Sequence, residues 1–298
     1  MKMLKVILCL LILSSCSNKN TSLNEENTYS SNTSLSSEEI SENTSFSIEE
    51  LYINKENNSK IYGKLYSPIN DTNIKKPLVI LSHSAFLTGD SLKKYAIHFT
   101  SLNYYAFTFD FCGGSSSSKS DGNTKDMTIF TEVNDLKTVI NYFVNKDFVL
   151  SDKIYLLGSS QGGLVSALTA NEMVNYINGL ILFYPAFNIP DQVNNMSSGS
   201  IFNQFIPMGE EYINSLKDYD PYKHIDLFTK KVLILHGDKD NTVPISYSIK
   251  ASEIYKNCIL KTIAGASHGF NKDNYSFFKD YDDEVLKYVD SFLNTIVF

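Results

Sequence analysis

Residues 153–163 read Lys-Ile-Tyr-Leu-Leu-Gly-Ser-Ser-Gln-Gly-Gly, and they contain the pattern that decides the fold. The apolar run Lys153–Gly158 predicts a buried strand, and Gln161–Met173 predicts a helix directly after it. Between them stands G-x-S-x-G, with Ser160 as its serine. A serine on such a sharp strand-to-helix turn has its hydroxyl lifted above the sheet, where helix N–H groups stabilise negative charge. The sequence therefore predicts that Ser160 is a nucleophile.

Strand and helix patterns alternate on both sides of this turn. This alternation predicts an α/β fold in which a mostly parallel sheet is covered by helices on both faces. The first two strands alternate in polarity and are expected to form an antiparallel pair. Ligands of such sheets bind at the carboxyl ends of the strands. The predicted strands are 48–54, 60–67, 77–83, 104–111, 153–158, 179–184, 231–236 and 258–263, and the predicted helices are 95–102, 127–143, 161–173, 245–255 and 285–296.

An acid and a base are expected after two later strands. A serine hydroxyl is a poor nucleophile without a base, and on this type of sheet the order along the chain is serine, acid, histidine. Residues 237–244 read Gly-Asp-Lys-Asp-Asn-Thr-Val-Pro, and residues 265–270 read Gly-Ala-Ser-His-Gly-Phe. His268 is the only histidine beyond both the serine and this acidic loop. Asp240 and Asp238 are the two candidate acids, and Asp238 has an alternative interpretation as a turn-capping residue.

From Ile48 to the C-terminus, these motifs resemble α/β-hydrolases of the cinnamoyl/feruloyl esterase group, close also to dienelactone hydrolases and serine-peptidase relatives. The resemblance implies the α/β-hydrolase fold with a lid inserted after the sixth strand. It also implies a catalytic triad of Ser160, Asp240 and His268, since the family's H-G-D-x-D loop has its acid at the second Asp. No metal or organic cofactor is implied.

The same resemblance suggests an oxyanion hole made of two backbone N–H groups. One belongs to Gln161, the residue after the nucleophile. The other comes from the loop after the first central strand, where the family has His-Gly-Phe and this chain has His83-Ser84-Ala85-Phe86. By position, the second donor is Ala85. Ser84 replaces the family's glycine, and His83 is interpreted as a loop-shaping residue.

The lid is expected at about residues 186–229, where periodicity is weak and apolar residues are scattered. Phe202, Phe205, Ile206 and Met208 are among them. A lid over the site excludes water and shapes the acyl pocket. These side chains suit an apolar or aromatic acyl group, and they equally suit packing of the lid onto the sheet.

The N-terminus has the features of an export signal. Two lysines precede the apolar run Val6–Leu13, which is too short to span a bilayer. The following Leu-Ser-Ser-Cys resembles the bacterial lipobox, and this implies cleavage of residues 1–15 and lipidation of Cys16. The Ser/Asn-rich stretch 16–46 is predicted to be a disordered tether, and 47–298 the hydrolase domain. We therefore expect a lipid anchor in a bacterial membrane, with the domain outside the cytoplasm.

The charge and cysteine content argue against a nucleic-acid-binding protein, a disulfide-rich protein and a Cys/His metal site. The net charge is −7, so the basic surface expected of a nucleic-acid-binding protein is missing, and no nucleic-acid partner is expected. Besides Cys16 and a cysteine inside the apolar run, Cys112 and Cys258 are the remaining two, which do not make a disulfide framework. No Cys/His spacing indicates a metal site.

The resulting prediction is a serine hydrolase that cleaves small-molecule carboxylic esters through an acyl-enzyme. Three alternatives stay open: a serine peptidase or amidase with the same triad, an acyltransferase, and a binding lipoprotein with an idle triad. A dipeptidyl-type peptidase is disfavoured, because it is expected to have an N-terminal propeller domain for which this chain has no room. The oligomeric state is left open.

Overall fold

The computed structural model describes residues 46–69, 74–195, 208–272 and 281–296. The predicted signal peptide, Cys16 and nearly all of the predicted tether lie outside these residues, as do Phe202, Phe205 and Ile206 of the predicted lid. The described part of the chain contains one sheet of eight strands and seven α-helices.

Strands and helices alternate along the chain, as the sequence predicts. The strands are β1 (Phe46–Asn54), β2 (Lys60–Pro68), β3 (Lys76–Ser82), β4 (Tyr105–Phe109), β5 (Val149–Ser159), β6 (Ile177–Phe183), β7 (Lys231–Gly237) and β8 (Cys258–Ile263). The helices are α1 (Lys93–Ser101), α2 (Ile129–Val144), α3 (Gln161–Glu172), α4 (Ile189–Asn194), α5 (Glu210–Leu216), α6 (Ser246–Ile254) and α7 (Asp282–Ile296).

The sheet has the strand order β1-β2-β4-β3-β5-β6-β7-β8. β2 pairs antiparallel with both β1 and β4, and every other neighbouring pair is parallel. The carboxyl ends of β3, β5, β6, β7 and β8 therefore meet at one edge, where the loops that follow them come together.

Adjacent residues of the central strands enter two separate cores. In β3, Leu78 and Ile80 pack with α2 and α3 on one face, whereas Val79 and Leu81 pack with α1 and α7 on the other. Because helices cover both faces, the central strands are apolar throughout. The predicted fold, a mostly parallel sheet between two helical layers, is confirmed.

The start of β5 and the end of β4 are among the strand ends that differ from the prediction. β5 begins at Val149, before the predicted start at Lys153. The sequence pattern missed this part of the strand because three polar residues interrupt the apolar run there. The pairing of β5 with β3 is irregular at the same place. β4 ends at Phe109 rather than at Phe111. The next residue, Asp110, accepts hydrogen bonds through its carboxylate from two loop N–H groups, and the chain turns away from the sheet.

The segment between β6 and β7, residues 184–230, lies where the sequence places the lid, and we call it the inserted segment. Its described part contains α4, α5 and a 3₁₀ turn at Pro221–His224. Tyr212 and Leu216 of α5 are buried in the core that also holds α2 and α3. These apolar side chains therefore pack the inserted segment onto the domain.

Cys112 and Cys258, the two cysteines among the described residues, are both free. Burial raises the pKa of each thiol to about 12, so neither is a thiolate at neutral pH. Across the described ranges, no helix is long and apolar enough to cross a membrane.

Candidate active site

Ser160 stands between the end of β5 and the first residue of α3, at the carboxyl edge of the sheet. Its backbone has φ 51° and ψ −117°, a conformation that L-residues rarely adopt. Such strain is kept only where the surrounding structure over-determines it, and it concentrates at functional sites. Here Ser160 N–H donates to the carbonyl of Phe183, and its own carbonyl accepts from the N–H of Ala186.

The glycines of the motif are required by contact. A Cβ on Gly158 would lie 2.2 Å from the carbonyl oxygen of Gly162. A Cβ on Gly162 would lie 2.4 Å from the carbonyl oxygens of Ser82 and His83. The turn thus brings α3 against the end of β3 at a distance that no side chain permits.

Three predicted site residues meet in one chain of hydrogen bonds. His268 Nε2 lies 3.1 Å from Ser160 Oγ, and His268 Nδ1 lies 2.7 Å from Asp240 Oδ2. The three side chains come from the loops after β5, β7 and β8. The Asp240 side chain is fully buried, whereas 22% of the His268 side chain is exposed. A serine hydroxyl, an imidazole and a buried carboxylate in this order have the arrangement that a Ser-His-Asp triad uses.

The environment of Asp240 favours its ionised form. Its Oδ1 accepts hydrogen bonds from the N–H groups of Thr242 and Val243 at 2.9 and 2.8 Å. Burial alone raises the pKa of Asp240, but hydrogen bonds from His236 and His268 outweigh it and hold the pKa well below the usual range. A carboxylate that is ionised at neutral pH is suited to stabilise a charged imidazole.

Asp238, the rival acid, has a different contact. Its Oδ1 accepts from the N–H of Gly265 at 2.7 Å, and its side chain is exposed. This bond joins the loop after β7 to the loop before His268. Asp238 therefore connects two loops, and the carboxylate at His268 belongs to Asp240.

His236 is a site neighbour that the sequence reasoning missed. It is the penultimate residue of β7 and fully buried, with Nε2 2.8 Å from the carbonyl of Val243 and 3.3 Å from Asp240 Oδ2. Its Nδ1 lies 2.7 Å from Ser248 Oγ. The only sequence signal was a histidine at the end of an otherwise apolar strand, directly before the acidic loop.

Tyr184 is a second neighbour that the sequence did not reveal. Its ring meets the ring of His268 edge-on, with centroids 4.6 Å apart. Burial raises the pKa of its hydroxyl, and the side chains of Ser159 and Ser84 partly oppose this rise. The ring thus holds the imidazole from one side.

The loop after β3 is held by His83, in agreement with its loop-shaping interpretation. Nδ1 of His83 lies 2.8 Å from the carbonyl of Ser84, and Nε2 accepts from the N–H of Phe111 at 3.1 Å. Burial lowers the pKa of His83, which keeps the ring neutral with its proton on Nδ1. Ala85 follows on this loop and is half-buried.

The backbone at Ser84, where the family has glycine, does not require a glycine. Ser84 does not have a positive φ, whereas Phe86, two residues further on, has φ 60°. Ser84 Oγ lies 3.0 Å from Ser159 Oγ and 3.3 Å from the Ser159 carbonyl. Ser84 therefore joins the loop after β3 to Ser159, the residue before Ser160.

The described residues contain no group of three His, Cys, Asp or Glu side chains arranged to hold a metal ion.

Solved structures resemble the chain over most of its length. Est1E from Butyrivibrio proteoclasticus, in a structure with bound ferulic acid, is 28% identical, with a TM-score of 0.70 over 82% of this chain and 99% of that chain. A second Est1E structure is 26% identical, with a TM-score of 0.69 over 83% and 98%. The esterase Pf2001 from Pyrococcus furiosus, 19% identical, shares the fold with a TM-score of 0.63 over 85% and 93%. No functionally curated protein matches the chain significantly.

Fold, site and these likenesses define an enzyme, a serine hydrolase of the esterase type on the α/β-hydrolase fold. The sequence model of the prolyl oligopeptidase family (Peptidase_S9) matches residues 91–295, more than half of the chain. The chain belongs to this family, and the matched region includes the loops after β5, β7 and β8.

Proposed function

We propose that this hydrolase cleaves carboxylic esters through an acyl-enzyme on Ser160, with His268 as base and Asp240 as the acid that orients it. The observation that carries the proposal is the unbroken contact from Ser160 Oγ to His268 at 3.1 Å and from His268 to Asp240 at 2.7 Å. A base held in this way converts a weak hydroxyl nucleophile into an active one.

Acylation follows from this geometry. Ser160 Oγ attacks the ester carbonyl while His268 Nε2 takes its proton. Asp240 stabilises the resulting imidazolium through Nδ1–H without taking the proton itself. His268 then protonates the departing alkoxide, and the acyl group stays on Ser160.

Two backbone N–H groups are proposed to hold the oxyanion. Gln161 is the first residue of α3, so its N–H has no acceptor within the helix. It lies at the positive end of the helix dipole, beside the nucleophile. Ala85, on the loop after β3 that Ser84 and His83 hold in place, is the proposed second donor. Donors placed where charge develops contribute most of the rate enhancement in such sites.

Deacylation uses the same groups in the second half of the cycle. The His268 imidazole, neutral again after alcohol release, removes a proton from water, and the water oxygen attacks the acyl carbon. The carboxylic acid leaves and Ser160 regains its proton. No metal or organic cofactor is required by these steps.

We propose an aromatic acyl group of the hydroxycinnamoyl type in a small-molecule ester. The support is Est1E, which is 28% identical to this chain and whose structure holds ferulic acid. Family membership keeps a peptidase or amidase activity of the same triad as the second candidate.

The experiment is activity-based labelling beside an ester and amide panel. The full chain and Ser160→Ala, purified in detergent, are treated with a fluorophosphonate probe. Both are assayed on p-nitrophenyl acetate, methyl ferulate and a glycyl-prolyl anilide. We expect labelling and ester turnover that vanish in Ser160→Ala. Turnover of the anilide alone supports the peptidase, transfer to an added alcohol the acyltransferase, and a folded protein without labelling the idle-triad binding protein.

We also propose that the enzyme is anchored by a lipid on Cys16 to a bacterial membrane, with its domain outside the cytoplasm. The support is in the sequence: two lysines, the apolar run Val6–Leu13, and the lipobox-like Leu-Ser-Ser before the cysteine. The polar stretch 16–46 has the composition of a tether.

A further inference from the structure

The side chain of Gln161 forms a buried polar network that no step of the proposed reaction uses. Its Nε2 donates to both carboxyl oxygens of Glu132 at 3.0 and 2.9 Å, and its Oε1 accepts from the hydroxyl of Tyr212 at 2.9 Å. Glu132, Gln161 and Tyr212 are only 1%, 2% and 2% exposed. The amide of Gln161 is therefore held from both ends in a place that solvent does not reach.

The three members come from three different parts of the fold. Glu132 lies in the first turn of α2, whose start is fixed by a reciprocal capping box between Thr128 and Thr131. Gln161 is the first residue of α3, and Tyr212 lies on α5 of the inserted segment. The network is the point at which the inserted segment contacts the residue after the nucleophile.

The backbone of the inserted segment approaches the loop before α2 closely at the same place. A Cβ on Gly209, the residue before α5, would lie 1.8 Å from the carbonyl oxygen of Lys125. Only glycine permits this approach. The position of Tyr212 is therefore set by backbone contact as well as by its own hydrogen bond.

The surroundings of Glu132 favour its protonated form. Burial raises the pKa of Glu132 well above its usual range, the hydrogen bond from Gln161 partly opposes this, and neighbouring Asp135 raises it further. Protonation avoids the large cost of an unpaired buried charge. The carboxyl oxygens accept from the Gln161 amide, and this contact orients the amide.

Resting on the proposed function, we infer that Glu132 and Tyr212 are positioning residues that hold the backbone N–H of Gln161 in the oxyanion hole and make this donor depend on the seating of the inserted segment. With its amide fixed at both ends, Gln161 has no freedom to turn its peptide away from the developing oxyanion. A donor aligned before the reaction needs no reorganisation in the transition state.

Tyr212→Phe tests the inference, with Tyr255→Phe as its matched control. Tyr255 is equally buried in the same core, but its hydroxyl has no hydrogen-bond partner among the described residues. We expect Tyr212→Phe to lower kcat about tenfold, less than the loss of a whole donor, with KM for a short ester unchanged. The Ki of a trifluoromethyl ketone, whose adduct places an oxyanion in the hole, should rise by the same factor. Tyr255→Phe should change neither constant.

Two variants of Glu132 separate the loss of its hydrogen bond from the loss of its side chain. Glu132→Gln keeps an acceptor oxygen for the Gln161 amide and should keep kcat within about threefold, whereas Glu132→Ala should lose about tenfold or more. If Glu132→Ala does not fold, Tyr212→Phe and its control still decide the question, because they remove single oxygen atoms.

The outcomes separate this inference from the proposed function. Full kcat and unchanged ketone binding in Tyr212→Phe, beside an inactive Ser160→Ala, overturn the positioning role alone and leave a network that only stabilises the fold. Ester turnover that survives in Ser160→Ala overturns the nucleophile, and with it the oxyanion hole that the network is said to position.

Discussion

His236 Nε2 lies 3.3 Å from Asp240 Oδ2, the same carboxylate oxygen that His268 Nδ1 contacts at 2.7 Å. Asp240 is therefore held between two imidazoles, one fully buried and one at the reaction site. The buried ring is itself fixed, since Ser248 Oγ lies 2.7 Å from its Nδ1. This arrangement makes His236 a support for the proposed catalytic acid.

His236→Phe tests that support. We expect kcat to fall about tenfold, because Asp240 loses one partner and the Val243 carbonyl and Ser248 hydroxyl are left unpaired. Acid stability should fall as well. A carboxylate with a lowered pKa contributes stability above its unfolded pKa of about 3.9, which is lost as pH falls through the folded pKa. Removing His236 raises that folded pKa, so acid unfolding should begin at higher pH, as followed by circular dichroism.

Ser248→Ala is the control for His236→Phe, because it keeps the contact between His236 and Asp240. It should retain most of kcat and the wild-type acid transition. Equal loss of activity in both variants, with unchanged acid transitions, would show that His236 serves packing and does not support Asp240.

Asp240→Asn and Asp238→Asn identify the acid. Asparagine at 240 cannot stabilise a charged His268 and favours the wrong ring tautomer, so we expect kcat to fall by about three to four orders of magnitude. Asp238 contacts the Gly265 N–H and not the imidazole, so Asp238→Asn should keep kcat within about threefold and lower Tm slightly. Steady-state ester hydrolysis measures both. The reverse order of effects would assign the acid to Asp238.

Ser84→Gly restores the residue that the related motif has at this position. Because Ser84 does not need a positive φ, glycine should keep the loop and retain kcat within about threefold. Tm should fall, since the Ser84 hydroxyl loses its contacts with Ser159 and the backbone gains entropy in the unfolded chain. Ser91→Ala, which removes a partly buried turn hydrogen bond to the Thr88 carbonyl, is the stability control. A large gain in kcat would instead show that Ser84 misplaces the Ala85 donor.

The sequence alone was sufficient to predict the fold and to single out Ser160 and His268 on the loops after their strands. A sharp glycine turn, a single histidine beyond it and apolar strands are local patterns, and each occurs where the chain order of the fold requires it. Ser160 and His268 could therefore be placed together from the sequence alone. The choice of Asp240 over Asp238 came from the resemblance, because one carboxylate two residues from another gives no local signal.

The supporting residues could not be found in this way. Glu132, Tyr184 and Tyr212 lie on separate elements, 28 or more residues apart along the chain. Their roles depend on which helix faces which loop, and that is decided by the packing of the whole domain. In the sequence, Glu132 is an ordinary acidic residue in the first turn of a helix, and nothing nearby marks it as buried.

Cys16→Ala tests the proposed anchor. Without the thiol that accepts the lipid, the protein should leave the membrane fraction and lose incorporation of labelled palmitate. Cys9→Ala is the matched control, because Cys9 lies inside the apolar run and should keep both the label and the membrane fraction. Fractionation with metabolic labelling measures the two together. A palmitate label that persists in Cys16→Ala would contradict the anchor.

Glu132→Gln should change how stability depends on pH. Burial raises the folded-state pKa of Glu132 above its unfolded value of about 4.3, so the folded protein holds the proton more tightly. This contribution is complete below the unfolded pKa, and it is lost at up to about 1.4 kcal/mol per pH unit as pH rises toward the folded pKa. Glutamine does not ionise, so the variant should gain free energy of unfolding relative to wild type as pH rises. Urea unfolding at stepped pH values measures this difference.

Tyr212→Phe is the control, because it keeps the carboxyl of Glu132. Its free energy of unfolding should fall with rising pH as that of the wild type does. A Glu132→Gln curve parallel to that of the wild type would mean that Glu132 is already ionised in the folded protein.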